Sequence, residues 1–165
     1  MPGTPVSVVL LADHPALVRE VGVLRWTEWG YDDPSPDEWI AVSAREAGRD
    51  ELPITLVAID EDDAVVGVVG LDTADDALTD EERDRRTPWL VGLVVRREAR
   101  RRGIGRILLR ALEDVVRTHG HDRVWVVTGS NADDFYRACG WIDVEQLTTS
   151  KERLPSTILG RVLPE

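Results

Sequence analysis

Apolar and polar positions recur along this chain with two periods, near two and near 3.6 residues, which divide it into short strands and amphipathic helices. Ser7 to Leu11 is a valine-rich run that predicts a buried strand. Asp13 can cap a helix with Pro15 in its first turn, and Leu17, Val21 and Leu24 then recur at helical spacing up to Gly30. Ser35-Pro36-Asp37-Glu38 offers a capping hydroxyl, a proline at the first helical position and a glutamate to complete a capping box, so a second helix is expected to run to Gly48. Thr55 to Asp60 and Ala64 to Leu71, joined by Glu61-Asp62-Asp63, predict an antiparallel hairpin. Thr79-Asp80-Glu81-Glu82 is another capping-box pattern and predicts a short exposed helix before Pro88. Pro88 to Val95 carries no charge, as expected of a central strand covered on both faces.

Beyond that strand, Ile104, Leu108, Leu112, Val115 and Val116 form one stripe of a helix that Gly120 ends. Val124 to Val127 reads as a buried strand. Ser130 and Asp133 can cap a short helix through Cys139, which Gly140 stops, and Trp141 to Glu145 and Ser156 to Leu163 are strand-like. No repeat, low-complexity tract or linker interrupts the chain, so residues 1–165 are expected to form a single domain. A chain of 165 residues can bury about 70% of its unfolded surface in one core.

Composition narrows the class. With 42% apolar and 31% charged residues the chain is of globular type. A single cysteine, Cys139, leaves no internal disulfide and no cysteine-rich metal site. Together with the lack of a leader or membrane-length apolar run, that points to the cytoplasm. The net charge of −11 opposes nucleic-acid binding. Against it, six arginines crowd between Arg96 and Arg106. There Arg100-Arg101-Arg102-Gly103-Ile104-Gly105 joins a strand to a helix and reads as an anion-binding turn: glycines let the backbone approach a ligand, and the helix start aims free N–H groups at it. It is not the dinucleotide fingerprint, whose third glycine would fall at Leu108, nor a P-loop. Trp26, Trp29, Tyr31 and Trp39 cluster around the 30–34 connection, either as packing or as one wall of a pocket.

Two motifs carry a resemblance. Arg100, Gly103 and Gly105, directly after a strand ending Leu93-Val94-Val95, are similar to Arg/Gln-x-x-Gly-x-Gly/Ala, and Asn131-Ala132-Asp133-Asp134-Phe135-Tyr136-Arg137-Ala138-Cys139-Gly140-Trp141 is similar to Asn-x-x-Ala/Asp-x-x-Tyr-x-x-x-Gly-Phe. In this order, over residues 88 to 145, they resemble the GNAT family of acyl-CoA-dependent N-acetyltransferases. Arg96-Arg97-Glu98-Ala99, where the family often has proline, and Trp141 in place of phenylalanine depart from the pattern without removing a reacting group.

The resemblance implies an α/β fold of the α+β kind: a single GNAT-like domain with a central mixed twisted β-sheet flanked by helices, its two central parallel strands splayed around the acyl-CoA. It implies acetyl-CoA as co-substrate; the residues themselves offer no metal-ligand constellation, so no metal is expected. Backbone N–H groups of Arg100, Arg101, Arg102, Gly103, Ile104, Gly105 and Arg106 would hold the pyrophosphate, and side chains such as Arg97 would reach the ribose phosphate or stay in solvent. Leu93, Val94 and Val95 would bind the pantetheine arm as an added strand, with the Val94 or Val95 N–H as oxyanion donor, and Asn131 of the second motif is placed with the cofactor. Tyr136 is the candidate general acid, with an aromatic core residue as the plainer reading. Glu28, Asp72, Glu81, Glu82 and Asp134 all remain open as general base. Capping or exposure accounts for His14, His119 and His121, and Cys139 reads as a small buried residue.

The expected activity is acetyl transfer to a primary amine of a small molecule, or of a peptide or protein, with neither nucleic acid nor membrane as partner. The acidic charge tilts the expectation towards a cationic amine. A homodimer follows from the resemblance, although no exposed apolar stripe in the sequence predicts an interface. The alternatives are a non-catalytic acyl-CoA-binding regulatory or sensor module, and a nucleotide-binding α/β domain.

Overall fold

Runs of valine and isoleucine too short for helices pair as strands, and the stretches of 3.6-residue period between them form helices. In the computed structural model, which describes residues 5–129 and 131–165, the order is β1 (Ser7–Leu10), α1 (Val18–Trp29), α2 (Asp37–Arg45), β2 (Ile54–Ile59), β3 (Val65–Asp72), α3 (Asp80–Arg83), β4 (Trp89–Val95), α4 (Ile104–Thr118), β5 (Arg123–Thr128), α5 (Asp133–Ala138), β6 (Ile142–Thr148) and β7 (Pro155–Val162). The strands follow the order β1-β2-β3-β4-β5-β7-β6 in a seven-stranded mixed sheet whose parallel pair is β4 and β5. Two compact units divide the chain: residues up to Leu71 with Gly92–Leu112, and Asp72–Val91 with Glu113–Glu165. Met1 to Thr4 and Ser130, which was expected to help cap α5, lie outside the described residues.

In the first unit β2 pairs antiparallel with β1 and with β3, as the hairpin pattern predicts. Val57, Val65, Val68 and Val94 join Leu11, Val21 and Leu24 in its core; each such burial is worth about 1.5–3 kcal/mol. β1 is only half-buried, because it is the edge strand. A Cβ at Gly67 would stand 3.0 Å from Leu108 Cδ1 and 3.3 Å from the Val94 carbonyl, so glycine there lets α4 approach β3 and β4 closely. At Gly22 a Cβ would meet Ile40 Cα at 2.5 Å, which sets α1 against α2.

Three helix-boundary expectations are corrected in this unit. Asp13 does not cap α1; it lies in a 3-10 turn and pairs with Arg49, while α1 starts after Leu17 without a side-chain cap. No capping box forms at α2, whose N-cap is Pro36: Ser35 Oγ accepts only a long bond from Asp37 N–H at 3.4 Å, and Glu38 turns to Arg45. That helix ends at Arg45, before Gly48. Gly48 is required instead because a Cβ would lie 2.3 Å from the Glu51 carbonyl oxygen.

The second unit holds the opposite outcome at α3, where the capping box of Thr79 and Glu82 forms in both directions. β7 pairs antiparallel with β5 on one side and β6 on the other, and Trp89 of β4 lies opposite Trp125 of β5. Leu78, Trp89 and Ile158 form its buried cluster, packed against by Trp125, Val127 and Leu147. Asp133 is the first helical residue of α5 rather than its cap; its carboxylate accepts from Thr157 Oγ1.

Candidate functional site

β4 is not covered along its length: Trp89, Leu90 and Val94 are buried, but Val91, Gly92, Leu93 and Val95 are partly open. Gly92 has φ +61, in the left-handed region where glycine is favoured, and so interrupts the pleat in mid-strand. Trp29 lies over this point, with Cη2 and Cζ3 each 3.9 Å from where a Gly92 Cβ would stand. Trp29 also stacks on Trp39 with ring centroids 6.5 Å apart, and the Trp26 and Trp39 indole N–H groups both donate to Asp33. Tyr31 is 87% exposed beside this group. Thus Trp29 connects the α1 end to the kink in β4, a neighbourhood that spacing alone did not reveal.

The Arg96 N–H donates to the Val66 carbonyl at 2.8 Å, towards β3. Since backbone groups alternate along a strand, Leu93 and Val95 turn theirs the other way. The Val95 carbonyl accepts from Arg100 Nε at 3.0 Å, and the same guanidinium pairs with Glu28 at 3.0 Å. Arg100 therefore fastens the turn to the end of β4 and to α1 through its side chain. An open cavity of about 680 Å³ beside it is lined by Arg19, Glu28, Val95, Arg96 and Arg97 among others.

After a 3-10 turn at Arg97–Ala99, Arg101 (φ +66) and Gly103 (φ +77) both adopt left-handed backbone. Nothing lies within 4 Å of a Cβ at Gly103, so this glycine is needed for its conformation and not for space. Gly105 sits in the first turn of α4. The first helical bond runs from Ile107 N–H to the Gly103 carbonyl, which leaves the N–H groups of Ile104, Gly105 and Arg106 without an intrahelical acceptor. Arg101, Arg102 and Arg106 are exposed and make no ion pair among the described residues. Free N–H groups, the positive end of a 15-residue helix and three exposed arginines occur together at this turn, an arrangement that can attract an anion.

In the second unit, Tyr136 is buried and packs edge-on against Phe135 and Trp141, both at 5.3 Å. Burial, with a smaller contribution from Cys139, pushes its phenol well above the ordinary value of 10.0, and its hydroxyl has no partner among the described residues. The ring is thus a core residue and a protonated donor at once. Asn131 is exposed in the turn before α5.

The base candidates separate. Glu82 has both oxygens committed, one to Thr79 N–H and the other to Ser150, and the bond from Thr79 first of all holds its carboxyl below the usual range. Asp134 is fully exposed and tied to Arg137, and Glu28 is ion-paired. Asp75, which the sequence did not single out, is pushed upward by burial foremost. His119 Nδ1 lies 2.9 Å from the Val115 carbonyl, as a helix-end residue does. Among the described residues no group of three or more His, Cys, Asp or Glu could hold a metal, and no helix is long and apolar enough to cross a membrane.

A family model described as the acetyltransferase (GNAT) family matches residues 18–141, three quarters of the chain and both motifs. The chain belongs to the GNAT acetyltransferase family. No curated protein matches it. Among solved structures, an aminoglycoside 6'-N-acetyltransferase complexed with coenzyme A is 19% identical, with 98% of each chain covered and a TM-score of 0.71. The aminoglycoside 6'-N-acetyltransferase from Enterococcus faecium is 18% identical over 96% of this chain and 98% of its own, with a TM-score of 0.70. Ard1 from Thermoplasma volcanium is 16% identical over 97% and 99%, with a TM-score of 0.69. At these identities the neighbours establish the fold, and that fold is the GNAT one. As a GNAT member the protein is an acetyltransferase with acetyl-CoA as donor and an amine as acceptor.

Proposed function

We propose that residues 1–165 act as one catalytic domain, in which the Arg100–Arg106 turn holds the donor, Leu93 and Val95 guide its arm, and Tyr136 is the acid. The observation that carries the donor assignment is the pair of left-handed residues, Arg101 and Gly103, that opens α4 with its first N–H groups free. They fit a pyrophosphate better than a single charge, because several N–H donors point to one concavity. Arg102 and Arg106 add charge from the rim, whereas the Arg100 side chain serves to hold the turn in place. When bound, acetyl-CoA supplies the thioester that is cleaved.

The amine must arrive neutral. Its nitrogen forms a bond to the thioester carbon, the carbon–sulfur bond breaks, and the departing sulfur takes a proton from the Tyr136 hydroxyl while the acceptor nitrogen gives one up to solvent, from which the phenolate then recovers its own. Val95 N–H, turned away from β3, is the better oxyanion donor of the two valines, because Val94 faces β3. Tyr136 stays protonated throughout the neutral range, which is the state an acid requires.

A primary amine, cationic in solution, is the proposed acceptor: Trp29 and Trp39 offer faces that attract such a group, and the net charge of −11 draws it in. The proposed location is the cytoplasm, without membrane or nucleic-acid partners. The chain is further proposed to pair with a copy of itself along β6, an edge strand on which Ile142 is 68% and Val144 47% exposed. The deciding experiment is thiol release from acetyl-CoA with a panel of primary amines. Turnover on at least one amine supports the assignment; tight CoA binding with no turnover on any would instead make the protein a sensor.

A further inference from the structure

Gly92 leaves a space beside β4 that one side chain bounds. Beyond its chain neighbours, a Cβ at Gly92 would meet only Trp29 among the described residues, with Cη2 and Cζ3 each 3.9 Å away, ordinary contact between carbons. The gap between the Gly92 backbone and the indole is therefore one carbon deep. Gly22 and Gly67 are different, because there a neighbour stands too close for a Cβ to fit without displacement. At Gly92 a methyl fits, and the backbone keeps its place open: φ +61 disfavours every residue that carries a Cβ.

Trp29 is braced on two sides. It stacks on Trp39 with ring centroids 6.5 Å apart and planes at 26°. Trp39 is tied in turn by its indole N–H to the Asp33 carboxylate, and Trp26 donates to the Asp33 carbonyl at 3.0 Å, so the connection after α1 anchors both rings. The preceding residue, Glu28, pairs with Arg100 at 3.0 Å, and Arg100 Nε donates to the Val95 carbonyl, which draws the last turn of α1 against the end of β4. What reaches Gly92 is the outer edge of the six-membered ring, while 38% of the residue stays exposed.

We infer that Trp29 sets the length of the acyl group this protein accepts, its ring edge admitting the methyl of an acetyl thioester over Gly92 and barring longer chains. This rests on the proposed reading in which the donor's arm comes from the Arg100–Arg106 turn and lies along Val95 and Leu93. A chain following β4 in that direction advances about 3.3 Å per residue, and the residue beyond Leu93 is Gly92. The group carried on the sulfur therefore heads for the one-carbon gap. An acetyl methyl fills that gap in ordinary contact; a third or fourth carbon would need the space of the indole. A side chain at position 92 would occupy the gap itself, and a small residue at position 29 would leave it unbounded. Glycine and tryptophan together select the donor, a task separate from the proton that Tyr136 delivers.

The test is the ratio between acetyl-CoA and butyryl-CoA, taken first as binding without an acceptor and then as turnover. In calorimetry on the full chain, butyryl-CoA should bind the native protein about tenfold more weakly than acetyl-CoA, and Trp29→Ala should bring the two within about threefold. With one primary amine as acceptor, kcat/KM should favour acetyl-CoA by about 100-fold in the native protein, since each excess methylene costs about tenfold, and by less than about tenfold in Trp29→Ala. Ratios on a single acceptor cancel whatever Trp29 adds to holding the amine, and a merely structural role would lower both donors alike. An unchanged ratio in Trp29→Ala overturns the inference, as does a native protein that takes butyryl-CoA as well as acetyl-CoA. If Trp29→Ala does not fold, Trp29→Phe decides, since it keeps a ring against Trp39 and falls short of Gly92: a several-fold narrowing of the ratio supports the inference, and an unchanged ratio overturns it. Acetyl-CoA binding with a ratio that no Trp29 variant moves sinks this inference alone; no binding of either thioester to the native protein sinks the donor reading with it.

Discussion

At the scale of single residues, the chemistry turns on two positions whose demands differ. Gly103 is required for its φ of +77 alone, so Gly103→Ala introduces no clash and only backbone strain, costing about 1–2 kcal/mol. Because that strain distorts the free N–H groups, CoA affinity should fall by about tenfold in calorimetry, with stability in denaturant nearly following the strain figure. Tyr136 makes the opposite kind of demand. Tyr136→Phe keeps the aromatic packing with Phe135 and Trp141, and should lower kcat by about 100-fold with little change in CoA binding. Full activity of that variant at every pH would remove Tyr136 from the mechanism. The phenol also predicts an alkaline limit. Its folded value is raised, so the stability it contributes is intact below the ordinary value of 10.0 and is lost as pH rises beyond it, when the unfolded chain ionises and the folded one does not. Melting temperatures of Tyr136→Phe should therefore fall less steeply above that pH than those of the native protein.

At the scale of elements, the α1–α2 pair is positioned by a buried polar knot that the sequence did not disclose. Arg25, 4% exposed, donates to Ser43 Oγ at 3.0 Å, to Glu46 at 2.9 Å and to Thr55 at 3.5 Å, while Thr55 Oγ1 donates to the Glu46 carbonyl. Burial foremost lowers the guanidinium from its ordinary value, and Glu46 opposes that. Glu46→Ala strands a buried charge and should cost about 3 kcal/mol, the lower part of the range for a broken buried pair because Glu46 is partly exposed. Chemical denaturation measures it. Since the same helices carry Trp29 and Trp39, the variant should also raise the acceptor KM more than the CoA KM.

The contrast between α3 and α2 shows what periodicity and caps can say. Thr79 and Glu82 form the box because Thr79 stands at the N-cap and Glu82 gives one oxygen to it while the other takes Ser150, whereas Glu38 turns to Arg45 and Ser35 sits one residue too early. The succession of strands and helices along the chain, the hairpin, the glycine turn and the α4 stripe were legible, because local chain chemistry determines them. The Gly92 kink, the Arg25 knot and the Trp29 edge over β4 were not, because each depends on what a distant segment brings. Charge-free β4 illustrates the ambiguity: an uncharged strand is expected both where it is buried and where it is kept open to a ligand, and only backbone geometry separates the two.

At the scale of the whole molecule, net charge and the β6 edge make separate statements. A surface at −11 should accelerate encounter with cationic amines, and salt removes that gain by screening the field beyond a Debye length of about 10 Å at 0.1 M. Hence kcat/KM for a cationic acceptor should fall several-fold as salt rises, while that for a neutral one stays level. The β6 edge argues from a different cause. The sequence shows no apolar stripe because Ile142, Val144 and Val162 are separated along the chain and by a register shift in the β6–β7 pair; only the paired strands set them side by side. An edge strand with free backbone groups and exposed isoleucine and valine is a template for pairing with another strand. A second copy of the chain supplies that strand, since a two-fold axis through β6 pairs the two edges and buries the same residues twice. Ile142→Lys places a charge at that seam. It should convert a dimer to a monomer in sedimentation velocity without lowering the melting temperature of the monomer, and a native protein that sediments as a monomer at every concentration would rule the pairing out.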